Sequence, residues 1–273
     1  MVLSLQSLLR NKEALQQTVI LSDLKVNKSV RETVLDEDAF WKSVQSCLLL
    51  ITPIASAITS LESDNALLSD VPEAFHSIRI ELAANLATSA LTSEEQIRAK
   101  EMITRREKLC LRPVHIAANL LDARYRGRHL DDAQIADSFE WISQQAGHLS
   151  MDIGKLISNV AEYRTSAGIW SRTGVWDSAK HVAPSTWWQG LCTNQPLTPL
   201  ACRLLQISPS SASCERNWSR FGNVHTRIRN RLSGERVRKL VYVQSNLAVD
   251  TTSIPAAARS AASSDSDSES DMG

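Results

Sequence analysis

Along the first two thirds of the chain apolar residues recur at spacings of three and four, the period of an amphipathic helix. Leu5, Leu8, Leu9 and Leu15 fall mostly on one face, and Phe40, Trp41, Val44 and Leu48 repeat the pattern in the next segment. Pro53 lies inside the apolar stretch that follows, where its missing N–H and its ring predict a kink or a break. Ser93, with Gln96 three residues on, predicts a capping-box start for a helix running toward Lys108, with Glu94 and Glu95 in the first turn, where the helix dipole favours anions. Residues Val114 to Leu121 are short and apolar; periodicity alone allows strand or helix, and helix is preferred. Asp131 to Gln145 and Ser150 to Arg164 predict two further helices of ordinary length.

After residue 165 the texture changes. Trp170, Trp176, Trp187 and Trp188, with Pro184 and Pro196, mark a connecting stretch held by aromatic packing. Leu197, Leu200, Ala201, Leu204 and Leu205 form a helical stripe. Ser208 and Pro209 predict an N-cap and first helical residue for a helix through about Phe221, ended by Gly222 and Asn223. Ser233 caps a last helix whose buried side carries Val237, Leu240 and Val241. The chain reads as mainly α, with divisions at 1–165, 166–249 and 250–273. No internal repeat is found.

Composition supports helices: only 9 glycines occur in 273 residues, well under the usual share of about 7%. The most apolar run, Cys47 to Ile58, is shorter than the roughly 20 residues of a membrane span, so no membrane partner is expected. The N-terminus has no signal-peptide pattern. Five cysteines at positions 47, 110, 192, 202 and 214 are odd in number and never spaced C-x-x-C, so a reducing compartment is expected and neither a disulfide framework nor a zinc knuckle is.

The net charge of zero conceals unequal parts. Glu215 to Lys239 carries eight basic residues against two acidic ones. Arg105 to Arg128 carries seven, against Glu107 and Asp122. From Ser263 onward serines alternate with Asp265, Asp267, Glu269 and Asp271; a segment so poor in apolar residues cannot offset its ordering entropy, and disorder is expected from about residue 250.

Candidate chemistry is sparse. Cys110 and His115 offer two ligands and no second pair, so a packed or hydrogen-bonded histidine is preferred to a zinc site. Phosphate-loop, dinucleotide, zincin and serine-hydrolase signatures are all missing. A small-molecule substrate is not expected. Glu215 lies mid-helix, one turn before Trp218, where it could meet a metal or an arginine; a solvated, locally paired glutamate is the plainer reading.

The run from Trp187-Trp188 through Pro199-Leu200-Ala201, Ser210-Ser211-Ala212-Ser213, Glu215-Arg216, Trp218-Ser219 and Arg229-Asn230-Arg231-Leu232 to Asn246 resembles the C-terminal dimerisation region of hAT-superfamily transposases. Upstream, His115 to Tyr125 resembles the family's H-x-A-x-x-L-D-P-R-Y segment, with Ala123 where proline is usual. Trp218 stands where the family has phenylalanine. The resemblance implies a helical, bundle-like remnant of the insertion domain followed by the C-terminal helices of a ribonuclease-H-like core, and a nuclear location. It assigns to Glu215 the third carboxylate of an Asp-Asp-Glu metal site. The family's two aspartates precede the resembling segment, and neither they nor a zinc-finger domain is expected in this chain, so no cofactor is expected unless those aspartates are supplied, when a divalent ion such as Mg would bind.

The expected function is therefore homodimerisation without catalysis by this chain alone, through Trp187, Trp188, Leu200, Leu204, Leu205, Trp218, Phe221, Leu232, Val237, Leu240 and Val241. Two alternatives stay open. One is DNA binding, with phosphates contacted by Arg216, Arg227, Arg229 and Arg231; the other is a share in a metal-dependent DNA-cleaving transposase, with Asp122 a possible partner of Glu215.

Overall fold

The computed structural model describes residues 1–21, 24–148, 151–224 and 233–250. Among these no strand occurs, and the chain forms two compact units, residues 1–210 and residues from Ser211 onward. The first begins with α1 (Val2–Arg10), α2 (Lys12–Ile20) and α3 (Lys28–Leu35), followed by a π-helical turn at Glu37–Trp41 that leads directly into α4 (Lys42–Leu61). Trp41 is buried beneath these short helices, and its indole N–H donates to the Val34 carbonyl at 2.8 Å. Lys12 and Gln16 of α2 hold the Glu37 carboxylate from the other side.

Pro53 neither ends nor breaks α4, which runs unbroken from Lys42 to Leu61. The bond that proline cannot donate would have gone to the carbonyl of Leu49, four residues back. Asn85 of α5 (Asp70–Thr88) supplies it instead, its side-chain amide donating to the Leu49 oxygen at 2.7 Å. A neighbouring helix thus satisfies the carbonyl that the proline leaves open, and the helix is not broken there.

The expectation about length is also corrected. Because the π turn and α4 join, the helical segment Glu37–Leu61 spans 25 residues with a mean hydropathy of 1.7, long and apolar enough by composition to cross a bilayer. The estimate from the Cys47 to Ile58 run counted only unbroken apolar sequence and missed the flanking turns.

The helix α6 (Ser93–Cys110) starts one residue from the expected cap. Thr92, not Ser93, is the N-cap: its hydroxyl accepts from the Glu95 N–H, and the Glu95 carboxylate accepts from the Thr92 N–H at 2.9 Å. The reciprocal pair is the capping box expected, shifted in register because Glu95 reaches back more readily than Gln96, whose amide turns to the Leu91 carbonyl.

The centre of this unit is α7 (Pro113–Leu121), the segment that periodicity left between strand and helix. Every residue from Ile116 to Leu121 is buried, as expected of a helix apolar all round. Around it lie α5, α8 (Asp132–His148) and, farther along the chain, α12 (Thr198–Leu204). Between α8 and α12 the chain forms α9 (Ile153–Thr165), a 3₁₀ turn at Gly168–Ser171, α10 (Thr173–Asp177), a second 3₁₀ turn at Ser178–Lys180 and α11 (Pro184–Leu191). Short elements here are held by tryptophan: the indole N–H groups of Trp176 and Trp187 donate to the carbonyls of Trp170 and Val175.

The second unit contains α13 (Ala212–Val224) and α14 (Gly234–Asp250), which pack on each other. The expected start of α13 at Ser208-Pro209 is not used. Ser208 instead turns its hydroxyl to the Ser210 carbonyl at 3.1 Å, and the first helical bond runs from the Glu215 N–H to the Ser211 carbonyl. Nor do Gly222 and Asn223 end the helix, which continues to Val224. Residues 251–273, where the acidic tail was expected, lie outside the described residues.

Candidate functional site

Three groups of side chains correspond to the sites expected from sequence. The first is the aromatic cluster. Trp187 and Trp188 of α11, Trp170 and Tyr163 are all buried, with ring centroids 5.2 Å apart for Tyr163 and Trp188 and 5.4 Å for Trp187 and Trp188. The Trp188 N–H donates to the Leu121 carbonyl at 2.8 Å, at the end of the central helix. Leu200, Leu204 and Leu205 join the same core. Five of the residues expected to face a partner are therefore already covered by their own chain.

The second group is on α13 and α14. Here Trp218 is 75% exposed, and Phe221, Leu240, Tyr242 and Val243 also face solvent, while Val237 is buried and Val241 half-buried. Glu215 is exposed in the first turn of α13 and accepts a hydrogen bond from the Ser211 hydroxyl at 2.8 Å. Arg216 donates to the Ser213 hydroxyl at 3.2 Å. Arg227, Arg229, Arg231 and Leu232 lie outside the described residues. Among the described residues no three His, Cys, Asp or Glu side chains converge as metal ligands would.

The third group sequence reasoning found only in part. Asp122, considered above as a partner for Glu215, is fully buried and already surrounded by donors. Ser69 donates to it at 2.7 Å, and Arg124 donates from its backbone N–H at 2.9 Å and from its guanidinium at 2.7 Å. The same guanidinium reaches Asp70 at 2.9 Å, and the Tyr125 hydroxyl donates to Asp70 at 2.6 Å. Burial opposes the Arg124 charge, but the Asp122 and Asp70 carboxylates more than offset it and hold its pKa above the ordinary arginine value. Burial first, then the Asp70 carboxylate, push the Tyr125 phenol well up. The motif D-A-R-Y is thus a fastening between α7 and the start of α5, with the carboxylates spent on arginine. Ala123, where the hAT pattern has proline, is buried beside it.

Beyond this motif the chain turns sharply. Arg126 adopts a left-handed φ of 57° and Gly127 one of 68°; a Cβ at Gly127 would stand 3.0 Å from Leu120 Cδ1, so a side chain there would be both strained and crowded. The Arg126 guanidinium lies 3.8 Å from the ring centre of Trp176 and donates to the Ser166 hydroxyl at 2.8 Å and to carbonyls at the end of α9. Next to it His129 stacks on His76 of α5 with centroids 3.6 Å apart, and approaches Glu73 at 3.1 Å.

Burial, His129 and Arg79 hold His76 below the ordinary histidine value, which is about 6.5. A histidine depressed in the fold contributes stability that is present above that value and is lost as pH falls through the folded one. Urea midpoints are accordingly expected to fall on acidification below about pH 6.5, and His76→Phe to flatten that slope. An unchanged slope in the variant would assign the acid sensitivity elsewhere.

The aromatic cluster and the α13–α14 pair lie within one stretch of sequence. Residues 161–247 match the hAT family C-terminal dimerisation region. No curated protein matches the chain. The hAT region runs from the last turn of α9 into α14, so it includes both the covered tryptophans of the first compact unit and the exposed Trp218 of the second. The resemblance drawn from the motifs covered Pro184 to Leu247; the matched region extends it upstream to take in Tyr163, Trp170 and Trp176.

Proposed function

We propose that this chain is a homodimerising module of a hAT-transposase-like protein, acting in the nucleus and catalytically incompetent on its own. The observation that carries the reading is the exposure of Trp218, Phe221, Leu240, Tyr242 and Val243 on α13 and α14, inside the hAT dimerisation region. Several large apolar side chains exposed on one small pair of helices are what an interaction face would use. A second copy of the chain is the occupant that the family match favours. Descent from a ribonuclease-H-like core belongs to the same proposal.

Catalytic incompetence has separate support. Phosphodiester cleavage by two metal ions needs several converging carboxylates. Glu215 is bonded locally to Ser211, and Asp122 is enclosed by Ser69 and Arg124.

Light scattering behind size-exclusion chromatography tests the dimer. At micromolar concentration the full chain is expected at twice its 30.2 kDa mass. The double variant Trp218→Ser, Leu240→Ser is expected at the monomer mass with the helical circular dichroism of the parent retained. A monomeric parent chain, or a dimeric variant, would remove the reading.

A further inference from the structure

Histidines stand at both ends of the central helix α7. In a capping box a glutamate or glutamine, placed three residues after the N-cap, accepts the backbone N–H of the N-cap residue. On α7 that position belongs to His115, whose Nδ1 accepts from the Arg112 N–H at 3.0 Å. A backbone N–H can only donate, so Nδ1 carries no proton and the imidazole is neutral, with its hydrogen on Nε2. Protonation would set two N–H groups against each other and put a positive charge at a helix N-terminus, where the dipole opposes it. His115 is thus the hydrogen-bonded histidine that the sequence favoured over a zinc ligand.

Past the other end of α7, the turn at 123–129 is held against α5 by a second imidazole. His76 of α5 lies flat on His129, with 3.6 Å between centroids and 10° between planes. His129 Nδ1 meets a Glu73 oxygen at 3.1 Å and Arg128 reaches the same oxygen at 3.2 Å, while Asn119, in α7 itself, donates to the other oxygen at 3.1 Å. Glu73 is therefore an acceptor shared by α7 and the turn beyond it. The charged groups around His76 are Glu73 and Arg79 of its own helix and Arg128 and His129 of the turn, so a proton on His76 meets two arginines and a histidine against one carboxylate. The stack does not have the form of a metal site, because the lone pairs of parallel rings run side by side instead of converging on an ion about 2.0–2.1 Å from both.

Burial, with the Arg112 charge behind it, holds His115 below the ordinary histidine value, as burial, His129 and Arg79 hold His76. The two contributions have one sign: each is fully present above the ordinary value of about 6.5 and is lost as pH falls through the lower, folded one. The cleft beside the start of α7 carries both charges, since Arg79, Lys108 and Arg112 line it together with Glu107, Asp131 and Asp137.

We propose that α7 is an acid-released element, seated by neutral imidazoles at both ends, His115 in its first turn and His76 against the turn that follows. Release reaches beyond the helix, since the Leu121 carbonyl at its end accepts from Trp188 and Tyr163. Acid therefore loosens the join between the helices that precede residue 161 and the tryptophans of the hAT region. Every group involved lies in the first compact unit, so the inference does not depend on the dimerisation reading.

Hydrogen exchange of the full chain, read by mass spectrometry and corrected for intrinsic rates, follows the opening of α7 at about pH 7.5 and about pH 5.0. In the parent the opening constant of peptides covering 116–121 is expected to rise at least about tenfold on acidification, each proton taken up contributing up to about tenfold per pH unit. His115→Gln keeps an acceptor for the Arg112 N–H that does not titrate; it is expected to match the parent at the higher pH and to rise at least about threefold less at the lower. With His76→Phe added, which leaves a ring to stack, the rise is expected to stay within about twofold. Nitrogen-detected NMR of the parent chain gives a reading that no variant's folding can disturb: His115 is expected as the Nε2–H tautomer at neutral pH and to titrate below a free histidine. The proposal is overturned by a parent opening constant that does not change with pH, by a double variant as acid-sensitive as the parent, or by a His115 that is charged or carries its proton on Nδ1 at neutral pH.

Discussion

Trp188→Ala is expected to cost about 3–5 kcal/mol, the range for truncating a large buried aromatic. The indole is fully buried against Tyr163, Trp170 and Trp187, and its N–H donates to the Leu121 carbonyl at the end of the central helix. Truncation removes the packing, opens a void and weakens the hold on that carbonyl, which also accepts from the Tyr163 hydroxyl at 3.4 Å. Against a total stability of about 5–15 kcal/mol this is a large fraction. In a thermal melt followed by circular dichroism it amounts to a fall of roughly 10 °C or more for a unit of this size. The contrast is Trp218→Ala, on a residue 75% exposed, where a change within about 0.5 kcal/mol is expected. Both variants are compared at a dilution where the chain is monomeric, and comparable losses there would mean that Trp218 is packed in the single chain.

Arg124→Met is expected to be about as damaging, for an electrostatic reason. Asp122 is fully buried, and among the described residues Arg124 is its one cationic partner. Removing one member of a buried pair leaves the other charge without compensation, at a cost of about 3–5 kcal/mol. Replacing both members together, as Arg124→Met with Asp122→Leu, is expected to recover a substantial part of that loss, since well-packed apolar residues often equal a buried ion pair. Urea denaturation of the parent, the two single variants and the double variant gives the coupling directly. If the double variant is no better than Arg124→Met, then Ser69, Asp70 and Tyr125 supply the fastening and the ion pair does not.

What the sequence made legible follows from how far apart the interacting residues are. Helices α4, α8, α9 and α12 follow from local patterns, because the residues that define a stripe are neighbours in the chain, whereas α5 (Asp70–Thr88) had no reading from the sequence. Pro53 was misread because its compensating donor, Asn85, belongs to another helix, and no pattern within α4 announces it. The role of Asp122 was hidden for the same reason: Ser69 and Asp70, which complete its surroundings with Arg124, precede it by three helices, α5 to α7. Ser208-Pro209 had good capping chemistry, yet Ser208 spent its hydroxyl on Ser210.

The candidate interface shows the same limit from the other side. Motif resemblance grouped Trp187, Trp188 and Trp218 as one set, because all belong to a single conserved-looking run of family motifs. Burial separates them: two are core and one is surface. Arg105 and Arg124 likewise looked alike as members of one basic stretch, yet Arg105 is exposed and Arg124 is half-buried against Asp122 and Asp70.

The Trp188 bond to Leu121 crosses the edge of the hAT region, whose matched residues begin at 161, after α7 and α8 have ended. The edge of the family match is therefore not a boundary of self-sufficiency. The matched stretch is completed by helices that lie before it, and two proteins sharing residues like 161–247 need not share a way of covering their tryptophans.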